Sequence, residues 1–180
     1  MLRLFAALSI PDDVVDRVLA MQRGVGGAHW RPRENLHVTL CFYGEVDEPT
    51  ADELDAALDE AARARGPFEI QLKGAGFFGK GEPHTLYLGV AENSALRALA
   101  ADCERAARRL GVKLDGRKFT PHLTVAYLKG ADLGRVMSFE QSHALFESRA
   151  WTVDEFGLYS SQTRRAAPSL YRLEAAYALD

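Results

Sequence analysis

ENLHVTLCFYG at residues 34–44 and FTPHLTVAYLKG at residues 119–130 are two passages of one chain that echo each other. Each carries His-x-Thr with apolar residues between and after: His37-Val38-Thr39-Leu40 and His122-Leu123-Thr124-Val125. The alternation predicts two strands, because successive side chains of a strand point to opposite faces. His37 and Thr39 then share one face over buried Val38 and Leu40, and His122 and Thr124 share one over Leu123 and Val125. A lone His-x-Thr is usually just a polar patch on a half-exposed strand. With five histidines in the chain, chance supplies about 0.2 such tripeptides, and two in roughly 2% of chains of this composition. The duplication therefore favours a functional reading, and if the two strands come from two pseudo-equivalent lobes, the four groups can converge in a cleft.

Outward from these passages, elements are short and mixed. Strands are expected at residues 3–10, 29–32, 36–43, 68–72, 85–90, 119–128, 151–159 and 170–179. Helices are expected at 12–22, from Glu48 to a stop at Gly66, and from a Ser94 cap to Gly111, with 131–146 weakly helical. The glycine-rich GAGFFGKGEP at 74–83 reads as a loop or long hairpin connection. This order predicts an α+β fold with largely antiparallel sheets, in a single domain over 1–180.

The composition narrows the function. In 180 residues, 22 Lys+Arg against 25 Asp+Glu leave a formal charge of −3, which argues against non-specific binding along a polyanion. One phosphate in a locally basic cleft is compatible with it, and Arg31, Arg33, Arg117, Lys118 and Lys129 lie close to the two passages in sequence. Cys41 and Cys103 fit neither a disulfide framework nor a zinc site, and read as buried thiols of a reducing compartment. The apolar opening stops at Ile10 before Pro11-Asp12-Asp13, without a cleavage pattern, and no run reaches a membrane span. The expected location is cytoplasmic.

Two imidazoles can divide the work of a general base and a general acid near neutral pH. Opening a cyclic phosphodiester by water needs that pair, and threonine hydroxyls can donate to the phosphate oxygens where charge builds. No metal-ligand cluster, G-x-S-x-G or G-x-x-x-x-G-K-[ST] occurs, so neither a metal nor another cofactor is expected.

In these features the sequence resembles the 2H phosphoesterase superfamily, named for two His-x-Thr motifs. Within it the resemblance is strongest to the bacterial and archaeal RNA 2′,3′-cyclic phosphodiesterases, formerly called 2′–5′ RNA ligases. RLFAALSIP, RPRENLHVTLCFYGEV, PFEIQLKGAGFFG, LYLGV, RKFTPHLTVAYLK and LYSS…YRLEAAYAL fall in the family's order. The resemblance implies a bilobal α+β fold with a pseudo-two-fold axis, antiparallel sheets lining a central cleft, and helices outside. It implies hydrolysis of a terminal 2′,3′-cyclic phosphate on RNA ends or nucleotides to a 2′-phosphate, with weak reversible 2′–5′ joining in some members. His37 would protonate the departing 3′-oxygen, His122 would activate water, and Thr39 and Thr124 would hold the phosphate. The family often has Arg three positions after the second Thr. Here that position is Tyr127, which regular alternation would turn away from His122. Lys129, Arg164 or Arg165 could supply the missing charge.

Phe42 and Phe119 flank the motifs and could stack on a terminal base. Core packing is the competing reading for both. Phe77-Phe78 and His84 are candidates for the cleft rim, and Arg31 and Arg33 for steering phosphates. His29 and His143 read as surface histidines. Two alternatives use the same residues: a nucleotide- or RNA-binding module without turnover, and a 2H enzyme acting on another cyclic or 2′–5′ linked nucleotide. An acid–base pair of histidines predicts a bell-shaped pH profile with limbs on either side of neutrality. A monomer is the default expectation.

Overall fold

The computed structural model describes residues 1–180. In chain order the elements are β1 (Leu2–Leu8), α1 (Asp12–Met21), β2 (Ala28–Trp30), β3 (Val38–Val46), α2 (Glu48–Arg63), β4 (Phe68–Ile70) and β5 (Leu72–Phe78). Then follow β6 (Thr85–Val90), α3 (Ser94–Arg109), β7 (His122–Leu128), α4 (Leu133–Ser142), β8 (Trp151–Val153), β9 (Glu155–Arg164) and β10 (Ala167–Ala178). No helix is long and apolar enough to cross a membrane.

One eight-stranded sheet carries nearly everything, in the order β10-β9-β1-β3-β7-β6-β5 with β2 paired to β7. Its strand pairs are antiparallel. The β3–β7 seam is narrow: its single register pair is Val38 with Leu123, the residues that directly follow His37 and His122. Both are fully buried, so the duplicated motifs meet at the centre of the sheet with their histidines beside the seam. The small β4–β8 sheet stands apart.

The helices form where local signals agree. The Asp47 carboxylate accepts a hydrogen bond from the Thr50 amide at 2.9 Å at the start of α2, and Leu54, Leu58 and Ala62 of its apolar stripe are buried. The Asn93 side chain caps α3 by accepting from the Leu96 amide at 2.9 Å, so the cap sits one residue before the expected Ser94. Helices α2 and α3 pack on each other and against β10 and β3 respectively.

The glycine-rich stretch read as a loop or long hairpin connection is strand through Phe78, and residues 79–84 connect it to its antiparallel partner β6. Glycine is poor in strands by propensity, yet Gly76 lies so close under Tyr87 that a Cβ would come within 2.5 Å of its hydroxyl oxygen. Packing rules the local preference here. The turn to β6 begins at Gly79, with φ +93° and the Glu82 carbonyl oxygen pressed against the place where a Cβ would stand. Gly79→Ala is expected to lower stability by about 2 kcal/mol or more, from the positive φ and the clash together. Urea unfolding measures it.

Candidate active site

Regular alternation would put Phe42 and Tyr127 on the wrong face of their strands. The structure corrects this with two bulges. In β3, Ala6 pairs with Cys41 and Ala7 with Thr39, leaving Leu40 as an extra residue. In β7, Leu86 pairs with Ala126 and Tyr87 with Thr124, leaving Val125 extra. Each insertion resets the phase of its strand. His37, Thr39 and Phe42 therefore face one cavity with His122, Thr124 and Tyr127.

That cavity has a volume of about 670 Å³, within the range of about 300–1,000 Å³ usual for small-ligand sites. Arg31, Arg117 and Lys118 also line it, and no Asp, Glu or Cys does. A chain of formal charge −3 thus presents a cleft whose charged walls are cationic alone, which concentrates anions. No group of three side chains suited to metal ligation occurs.

The two imidazoles are held alike. The Nδ1 of His37 lies 2.8 Å from the carbonyl oxygen of Asn35, and that of His122 lies 2.6 Å from the carbonyl oxygen of Thr120. A carbonyl can only accept, so each Nδ1 carries a hydrogen and each Nε2 is left to exchange protons. Aromatic rings fix the ring planes. His37 packs at 5.0 Å from Phe5 and 5.3 Å from Tyr171. His122 packs edge-on at 5.0 Å from Phe78 and 5.4 Å from Tyr87.

Burial pushes the His37 imidazole down to about 4; the Asn35 hydrogen bond opposes this, and the charges of Arg31 and His122 add to it. His122 is lowered less, by burial against the Thr120 hydrogen bond. In the free protein the first proton taken up goes to His122. The limbs of the expected pH profile therefore move to the acid side of neutrality, because both rings are desolvated.

Other expectations divide. Phe42 lines the cleft and Phe119 does not: it is half-buried against the core, and its carbonyl oxygen accepts a hydrogen bond from Arg97. Phe78 lines the cleft while Phe77 packs on the core. His84 stands at the rim, its Nδ1 2.9 Å from the Thr85 hydroxyl. Arg33 is turned outward into ion pairs with Asp12 and Asp16. Lys129, Arg164 and Arg165 are absent from the lining, so none stands in for the arginine expected at 127. Phe5, Tyr87 and Tyr171 come from distant strands without a sequence signal. Asn35 and Thr120 have one: each lies two residues before its histidine.

The sequence matches the 2′-5′ RNA ligase superfamily over residues 10–165. It is 34% identical over 132 residues to the RNA 2′,3′-cyclic phosphodiesterase of Archaeoglobus fulgidus, covering 71% of this chain and 73% of that one. To the protein of the same name from Thermotoga maritima it is 30% identical over 179 residues, covering 93% and 90%. The fold superposes on the crystal structure of TT0787 of Thermus thermophilus with a TM-score of 0.83 and 25% identity, over 98% of this chain and 97% of that one.

Proposed function

The chain belongs to the 2′-5′ RNA ligase superfamily, and on that footing we propose that it is an RNA 2′,3′-cyclic phosphodiesterase. The observation that carries the reading is the matched pair of imidazoles, each tied through Nδ1 to a main-chain carbonyl, in a cleft of hydroxyls and cations. A binding module has no use for two titrating rings held in one tautomer.

In the reaction, water attacks phosphorus and the bond from phosphorus to the 3′-oxygen breaks, leaving a 2′-phosphate. His122 Nε2 takes the proton from water, and His37 Nε2 gives one to the departing 3′-oxygen. Thr39 and Thr124 donate to the non-bridging oxygens, and the neighbouring cations offset the developing charge. This division makes the reactive form the less populated singly protonated one, since His37 is the more strongly lowered ring. A low pKa also makes His37 a strong proton donor once charged, which compensates for its scarcity. The proposal includes a monomer acting in the cytoplasm without a metal.

The pH dependence of kcat/KM tests it. One ring must be charged and the other neutral, so kcat/KM peaks in a window on the acid side of neutrality, bounded below by the His37 value of about 4 and above by His122, itself lowered by burial. It falls below that window as both rings are charged, and above it as both become neutral. The bound phosphate's negative charge raises both rings, so the kcat profile lies at higher pH than that of kcat/KM. EDTA leaves both unchanged. A loss of turnover on chelation that added metal restores would contradict the mechanism.

A further inference from the structure

Beside the catalytic cleft lies a second chamber of about 350 Å³ that shares His37, Thr39, Phe42, Tyr127 and Tyr171 with it. Its walls include Arg3, Arg31, Phe42, Tyr127, Ser161 and Thr163, and again no Asp or Glu. Arg31 belongs to both spaces.

Two cations here lack a counter-charge. Arg31 is only 7% exposed, and its guanidinium lies 5.0 Å from the centre of the Tyr127 ring and 3.4 Å from the Tyr171 hydroxyl oxygen. Arg3 stands over the Phe42 ring at 5.2 Å, although Glu45 is its cross-strand neighbour. Elsewhere, arginines such as Arg97 and Arg149 are matched by carboxylates, but neither Arg3 nor Arg31 takes part in an ion pair. Keeping a buried guanidinium charged without a partner is costly, and an anion in the chamber would complete it. The two cation–aromatic pairs are also equivalent by position, since Phe42 and Tyr127 each stand three residues after a motif threonine.

Building on the function proposed above, we infer that this chamber is a subsite for the phosphodiester adjoining the cyclic end, held by Arg31 and Arg3, so that the protein favours RNA strand ends over cyclic mononucleotides. The chamber shares His37 and Thr39 with the catalytic cleft, so the next phosphate 5′ of a ribose held there comes within reach of these two unmatched cations. Ser161 and Thr163 add hydroxyl donors to the lining, and the Phe42 and Tyr127 rings lie against the two guanidinium groups rather than adding charge of their own.

The test compares kcat/KM for a cyclic mononucleotide with that for a dinucleotide ending in 2′,3′-cyclic phosphate, in the unaltered protein and in Arg3→Gln. Arg3 lines the side chamber and not the catalytic cleft, and its side chain is exposed, so the variant is expected to fold. The unaltered protein should favour the dinucleotide, and Arg3→Gln should reduce that preference about tenfold. The salt dependence of the dinucleotide reaction should flatten by a slope of about one, as for the loss of a phosphate contact. Equal rates on the two substrates in the unaltered protein, or an undiminished preference in Arg3→Gln, would overturn the subsite while leaving the catalytic reading intact. Failure to open either substrate would remove the catalytic reading and the subsite with it.

Discussion

With His122 replaced by Ala, kcat for opening a terminal 2′,3′-cyclic phosphate falls by about 10³-fold, the middle of the range for loss of a positioned acid or base. Substrate binding persists, because Thr39, Thr124, Arg31, Arg117 and Lys118 still line the cleft. His37→Ala gives a fall of the same order. The double variant is little worse than either single one, since the rings act as one proton-transfer unit and a lone partner accomplishes little. Single-turnover assays with equilibrium binding of a non-cyclic 2′-phosphate product separate the two effects. The division of roles has its own readout. A substrate with sulfur in place of the departing 3′-oxygen needs no proton donor, so it recovers turnover in His37→Ala and not in His122→Ala. The opposite rescue would exchange the two roles.

Thr39→Val and Thr124→Val are each expected to lower kcat by about 10²-fold, as loss of one preorganised donor to a developing oxyanion does. Valine keeps the branched shape, so the strands and the buried Val38 and Leu123 beneath them are undisturbed. The Ser variants restore the hydroxyl and should recover to within several-fold of the parent. If valine raised KM and left kcat unchanged, the hydroxyls would be binding ground state and transition state alike.

Much of this site was legible in the sequence, and the failures have physical causes. The duplicated His-x-Thr was readable because it depends only on strand alternation and on neighbouring residues. Tyr127 was misassigned because alternation was extended across Val125, an extra residue that only the pairing with β6 exposes. Phe42, named as a candidate to stack on a base, does reach the cleft, carried there by the bulge at Leu40 that the pairing with β1 exposes. Phe119 was a flanking aromatic by sequence, but it precedes the strand and packs on the core. Strand β5 escaped notice because glycine is disfavoured in strands on its own account, whereas at Gly76 the outer end of the Tyr87 ring occupies the space a Cβ would take. Tyr171 and Phe5, which frame His37, come from strands that the fold brings together from opposite ends of the chain. The expected pH limbs moved for a related reason: an isolated histidine titrates near neutrality, and only the packed structure reveals how far His37 is desolvated.

The most direct test of the account is to incubate the purified protein, in EDTA, with an RNA oligonucleotide ending in 2′,3′-cyclic phosphate and to assign the product by phosphorus NMR. The account predicts a terminal 2′-phosphate, formed by the unaltered protein and lost in His122→Ala. A 3′-phosphate product, or a cyclic end that stays closed while the oligonucleotide is bound, would contradict it.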